Sequence, residues 1–160
     1  MSRGANLITE RLNVEKMMNY EHILVTVNLT KINQEVIDKA LSLAKATGAK
    51  VSFIHVDISC VDNASILRKD DRCSDEVLSK SKDELQRQLQ ALAERADYPI
   101  SNTLVVSGGL RYKLEETVRK MDVDLLVCGH HHNFWSRIVS SVRELVDTSP
   151  IDLLIVHLND

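Results

Sequence analysis

Short apolar, β-branched runs recur along this chain, each separated from the next by a segment with helical spacing. They are HILVTVN (22–28), KVSFIHV (50–56), NTLVVS (102–107), DLLVC (124–128) and DLLIVHL (152–158). Near-continuous apolar runs of this length read as strands covered on both faces. Between the first two, Ile37, Ala40, Leu41 and Ala44 share one stripe of residues 31–48, and Gly48 sits where a helix-ending glycine belongs. Residues 57–74 are polar and carry no period, so they read as a long connection. From about Asp75, the positions Leu78, Ser81, Leu85, Leu89, Leu92 and Ala96 repeat every three or four residues, and Pro99 closes the turn that follows. Gly108 and Gly109 form a turn before a short helix over 110–121 with Leu110, Leu114 and Val118 inward. A last helix is expected over 134–147, burying Phe134, Ile138, Val142 and Leu145.

Strands separated by helices must run parallel, joined by right-handed crossovers. The expected fold is therefore α/β: a single domain with an open five-stranded parallel sheet and helices on both faces, a Rossmann-like sandwich. Such sheets open a crevice at the carboxyl ends of the strands where strand order reverses. Here the reversal is expected between the first and fourth strands, with Asn28 and Gly129 lining the crevice. The 160 residues suit one core. Residues 1–17 are polar and without a partner element, so they read as an N-terminal extension, and 18–160 as the domain.

Charge and composition narrow the function. A net charge of -3 is small and of the wrong sign for a nucleic-acid surface. No apolar stretch nears the roughly 20 residues that a membrane helix needs, and no secretory signal is evident. Cys60, Cys73 and Cys128 form neither a C-x-x-C pair nor a disulfide framework, which fits a reducing cytoplasm.

The stretch VCGHHHNFWSRIVSSV (127–142) carries the densest chemistry. It starts as a phosphate loop would, with an apolar run and then Gly129. Such a loop needs bare backbone, so that N–H groups turn toward an anion beside a helix N-terminus. His130, His131 and His132 follow instead, and side chains there obstruct phosphates. Ser140 and Ser141 offer hydroxyls, yet serines in a helix are commonly just small exposed residues. Adjacent histidines diverge and lack zinc-ligand spacing, so no metal is expected. Cys128 at a strand end reads as a small buried hydrophobe rather than a thiolate nucleophile. Asp57 and Asp124 fall at opposite ends of their strands and make no acid/base pair. Phe134 and Trp135 would pin the turn without any ligand. The last apolar run has no proline or inward charge, so its edge is expected to pair with another chain, most simply a second copy.

The segments NYEHILVTVNLT, GAKVSFIHVD, YPISNTLVVSGGL and DVDLLVCGHHHNFWSRIVSSVRELVDTSPIDLLIV resemble the universal stress protein family from about Met18 onward. Its nucleotide-binding branch carries G-x-x-G-x9-G-[ST] after the fourth strand and an Asp at the end of the first. Here Gly129 matches the first glycine, His132 stands at the second, Asn28 replaces the Asp, and Ser140-Ser141 come about two residues early. Val56 occupies the position whose backbone meets adenine in that branch. The resemblance therefore implies the branch that does not bind ATP. It also implies a non-enzymatic, cytoplasmic stress-response protein, open to Ser or Thr phosphorylation, without a cofactor. The same resemblance implies a homodimer through the fifth strand, with Leu153, Leu154, Ile155, Val156 and His157 at the interface. Its protein partners are not named by the sequence. Two alternatives stay open: a nucleotide-dependent switch or slow ATPase using Gly129, Ser140 and Ser141, and a metal-handling module using His130–His132.

Overall fold

The structure is a computed structural model that describes residues 19–29, 31–32, 34–57, 75–107, 110–130, 143, 146–148 and 151–158. In chain order the elements are β1 (His22–Thr26), α1 (Gln34–Thr47), β2 (Lys50–Asp57), α2 (Asp75–Arg95), β3 (Ile100–Ser107), α3 (Leu110–Lys120), β4 (Leu125–His130) and β5 (Asp152–His157). The strands form one five-stranded sheet in the order β3-β2-β1-β4-β5, and every pairing is parallel. Strand order reverses between β1 and β4, the place expected from the sequence. The expected helix over 134–147, with Phe134 and Trp135, lies almost wholly outside the described residues.

Alternation along the strands splits the core in two. Ile23, Val25, Val51, Phe53, Leu125 and Val127 point to the face covered by α1 and α2. Leu24, Ile54, Val56, Leu126 and Cys128 point to the opposite face, where α3 contributes Leu114 and Val118. The apolar stripe of α1 is buried as its spacing demands: Ile37, Ala40, Leu41 and Ala44 join Val36 in the first core. Gly48, at φ 73°, ends α1, and its N–H donates to the Ala44 carbonyl at 2.7 Å. Only glycine takes that left-handed conformation without strain. Asp122 adopts φ 49° after α3, a cost that aspartate bears better than most residues.

Polar side chains tie the strands together at their amino ends. The His22 ring is buried, with Nδ1 2.8 Å from the Met121 carbonyl and Nε2 2.7 Å from Ser52 Oγ. A carbonyl only accepts, so Nδ1 carries the proton and Nε2 accepts from the Ser52 hydroxyl. Ser52 Oγ in turn accepts from Asn102 Nδ2 at 3.3 Å. The Asp124 carboxylate accepts from the backbone amides of Glu21 and His22 at 2.7 and 3.1 Å. Tyr20 donates its hydroxyl to Asp152 Oδ2 at 2.9 Å. This polar strip touches all five strands and satisfies groups that burial would otherwise penalise. Ser52 is fully buried, so Ser52→Ala should leave His22 Nε2 and Asn102 Nδ2 without their shared partner. The expected loss is about 1–3 kcal/mol, read from the shift in denaturation midpoint at constant m-value.

Candidate functional site

The crevice opens where β1 and β4 part company at their carboxyl ends. Main-chain pairing runs past the end of β1, where Val27 N–H donates to the Ile54 carbonyl at 2.8 Å. Beyond it the chain turns through half-buried Asn28 and Leu29 toward α1. His55 lies beneath this turn, buried, with Nδ1 2.9 Å from the Val27 carbonyl. That contact places the proton on Nδ1. The Leu29 N–H at 3.4 Å from the same nitrogen therefore finds no lone pair there. His55 thus pins the β1–α1 turn rather than pointing into the crevice as a free ligand.

Gly129 faces the same opening from β4. A Cβ on this residue would lie 2.9 Å from Val36 Cγ2 and 3.0 Å from Leu158 Cδ1. Those two apolar side chains already occupy the volume beside the Gly129 backbone. Val36 arrives from the first turn of α1 and Leu158 from just past β5. A larger residue in place of the glycine that opens the phosphate-loop-like stretch would make Val36 and Leu158 shift, so side-chain packing favours glycine here whether or not an anion binds. Val56, 5% exposed, is committed to the α3-side core. His132, Ser140 and Ser141 lie outside the described residues.

The remaining chemistry-bearing groups are similarly occupied. The β4–β5 register sets His130 opposite His157, but no group of three or more His, Cys, Asp or Glu among the described residues could hold a metal ion. Cys128 is completely buried, and that burial pushes its thiol from 9.0 up to about 12, only partly offset by a hydrogen bond with Thr26. It is a neutral, enclosed thiol near neutral pH, as its position at a strand end leads one to expect. Asp124 is engaged in capping the amino end of β1, far from the crevice along the strands. No described helix is long and apolar enough to cross a membrane.

Along β5, the side chains divide. Val156 is 2% exposed and belongs to the chain's own α1-side core. Leu153 and Leu154 are half-buried, whereas Ile155 is 41% exposed and His157 is exposed. Sequence spacing missed the contact of Leu158 with Gly129: the run reads as strand through 158, and a strand reading does not say which residue of another strand its last side chain meets. It also missed His55, since a single histidine in an apolar run has no pattern to mark it.

Comparison with known proteins agrees with this architecture. The sequence profile of the universal stress protein family matches residues 19–157. The chain is 41% identical over 143 residues to universal stress protein A of Escherichia coli strain K12, covering 89% of this chain and 98% of that protein. Its fold resembles universal stress protein UspA from Lactobacillus plantarum, with a TM-score of 0.58 at 22% identity over 86% of this chain and 98% of that one. It also resembles the universal stress protein of Archaeoglobus fulgidus in complex with dAMP, with a TM-score of 0.52 at 18% identity over 86% and 98% of the two chains.

Two measurements check this site. Gly129→Ala should destabilise by about 1–3 kcal/mol through overpacking, and the loss combined with Val36→Ala should be smaller than the sum of the two single losses. The Cys128 thiol, raised from 9.0 to about 12, contributes stability that is complete below pH 9 and is lost as pH rises toward 12. Melting of Cys128→Ala across that window should fall less steeply than melting of the parent protein.

Proposed function

This chain belongs to the universal stress protein family, and we propose that it acts in the stress response as a cytoplasmic homodimer that works through protein contacts, without binding ATP and without catalysis. The observation that carries this reading is the packing at Gly129, where Val36 and Leu158 lie 2.9 and 3.0 Å from where a Cβ would be and so cover one side of the loop's first glycine with hydrocarbon. Asn28 supports it as well, since the nucleotide-binding branch has an acidic residue at the corresponding place. Exposure of Ile155 on an edge strand supports pairing through β5. The partners it meets in the cell are taken to be proteins, because the charge is mildly acidic and no metal-ligating cluster occurs among the described residues.

A nucleotide-dependent switch is the competing reading. It draws support from the Archaeoglobus fulgidus neighbour that holds dAMP on a similar fold, and from the first glycine of the loop, which Gly129 retains. The two readings separate in a thermal melt with magnesium and ATP. A ligand present at a hundred times its Kd stabilises the native state by about 2.7 kcal/mol, which is several degrees of Tm. Millimolar ATP is expected to leave Tm unchanged, and a rise that saturates with ATP would establish the switch. For the dimer, Ile155→Lys is expected to halve the mass seen by sedimentation, and an unchanged mass would remove β5 from the interface.

A further inference from the structure

The sheet has two edges, β3 and β5, and they are not equivalent. Backbone facing follows from the ladder. Lys50 N–H donates to the Glu21 carbonyl at 2.9 Å and Val27 N–H to the Ile54 carbonyl at 2.8 Å. These bonds turn the backbone groups of Lys50, Ser52 and Ile54 toward β1, and those of Val51, Phe53 and His55 toward β3. Phe53 stands opposite Thr103, so Asn102 and Leu104 bond back to β2 while Thr103 and Val105 turn their N–H and C=O outward. On the other side, Asp152 N–H donates to the Asp124 carbonyl at 2.9 Å. That bond turns Asp152, Leu154 and Val156 to β4, and leaves Leu153 and Ile155 with their backbone groups outward.

Of these outward carbonyls, that of Thr103 is occupied. Gln86 Nε2 donates to the Thr103 carbonyl at 3.0 Å and also to Thr103 Oγ1 at 2.9 Å. The Thr103 hydroxyl then donates onward to Gln90 Oε1 at 2.8 Å. Gln86 and Gln90 lie one turn apart on α2, so both amides reach the same residue of the edge strand. The arrangement is directional: one amide donates, the hydroxyl accepts and donates, and the second amide accepts. Among the described residues, no side chain is bonded in this way to Leu153 or Ile155 on β5. An incoming strand at β3 would have to break the Gln86 bond before it could use the Thr103 carbonyl.

The geometry points to a guard: Gln86, Thr103 and Gln90 close the β3 edge to strand addition by a second copy of this chain, so that self-association is confined to β5. One open edge gives a closed two-fold pair, whereas two open edges give an open-ended row of molecules. That assembly stops at two rests on the β5 pairing proposed above, but the guard does not depend on it.

Sedimentation velocity of the full-length Gln86→Ala/Gln90→Ala protein over a wide concentration range tests this, with the parent protein alongside. The parent mass should stay constant, while the variant mass should climb with concentration to at least about twice the parent value. Adding Ser101→Lys, a charge near the start of the same edge, should reverse the climb. Should the double variant fail to melt cooperatively, Gln86→Ala alone removes the bond to the carbonyl and is expected to shift in the same direction. A cooperatively melting variant whose mass matches the parent at every concentration would overturn the guard. A monomeric parent with an associating variant would sink the β5 pairing and leave the guard standing.

Discussion

At the place where strand order reverses, Gly129 is packed against side chains that would have to shift to admit a Cβ. Val36 Cγ2 and Leu158 Cδ1 lie 2.9 and 3.0 Å from where that atom would be. One glycine thereby joins the end of β4, the first turn of α1 and the residue following β5. In a sheet of this topology the crevice is where a ligand's phosphates are usually received, on glycine-rich backbone near a helix N-terminus. Here that backbone is partnered by hydrocarbon. That contact, which covers the side of Gly129 where a Cβ would stand, supports the proposal that no phosphate is received there.

The two ends of the sheet are built on different principles. The amino end is stitched by polar side chains, from Asn102 through Ser52 to His22, with Asp124 and Tyr20 holding the flanks. Each group in that strip has a defined donor or acceptor, and the Met121 carbonyl dictates the tautomer of His22. The carboxyl end relies on His55 pinning the turn after β1 and on apolar contacts at Gly129. Edges follow a similar division. Glutamines on α2 occupy an outward carbonyl of β3, while β5 presents exposed Ile155. On β3 the Thr103 carbonyl is taken by a side chain of the same molecule, whereas among the described residues no side chain is bonded to the outward backbone of Leu153 or Ile155 on β5.

Much of the fold was legible in the sequence because its signals are local and periodic. The stripe Ile37, Ala40, Leu41 and Ala44 reads directly as the buried face of α1. The apolar runs read as strands, though the first ends at Thr26 rather than Asn28 and the first helix begins at Gln34 rather than near Lys31. Parallel pairing followed from alternation and handedness, and the expected reversal between β1 and β4 is one of the common orders that such alternation allows. Less of the site was legible. His22 acts through partners 30 and 99 residues away and Gln86 through one 17 residues away, and local periodicity carries no sign of such pairs. Val156 shows the limit of a strand-level reading: it shares a strand with exposed Ile155 yet serves the chain's own core. The aromatic pair Phe134 and Trp135, and the loop positions His132, Ser140 and Ser141, lie outside the described residues.

We propose that side-chain packing at Gly129 closes the carboxyl end of β4 to phosphates. Backbone amide chemical shifts of isotopically labelled protein, followed while magnesium and ATP are titrated in, test it most directly. The amides of Asn28, Leu29, Gly129 and His130 are expected to keep their positions at every concentration. Progressive, saturating movement of the Gly129 and His130 amides would contradict it, because those groups could then reach an anion past Val36 and Leu158.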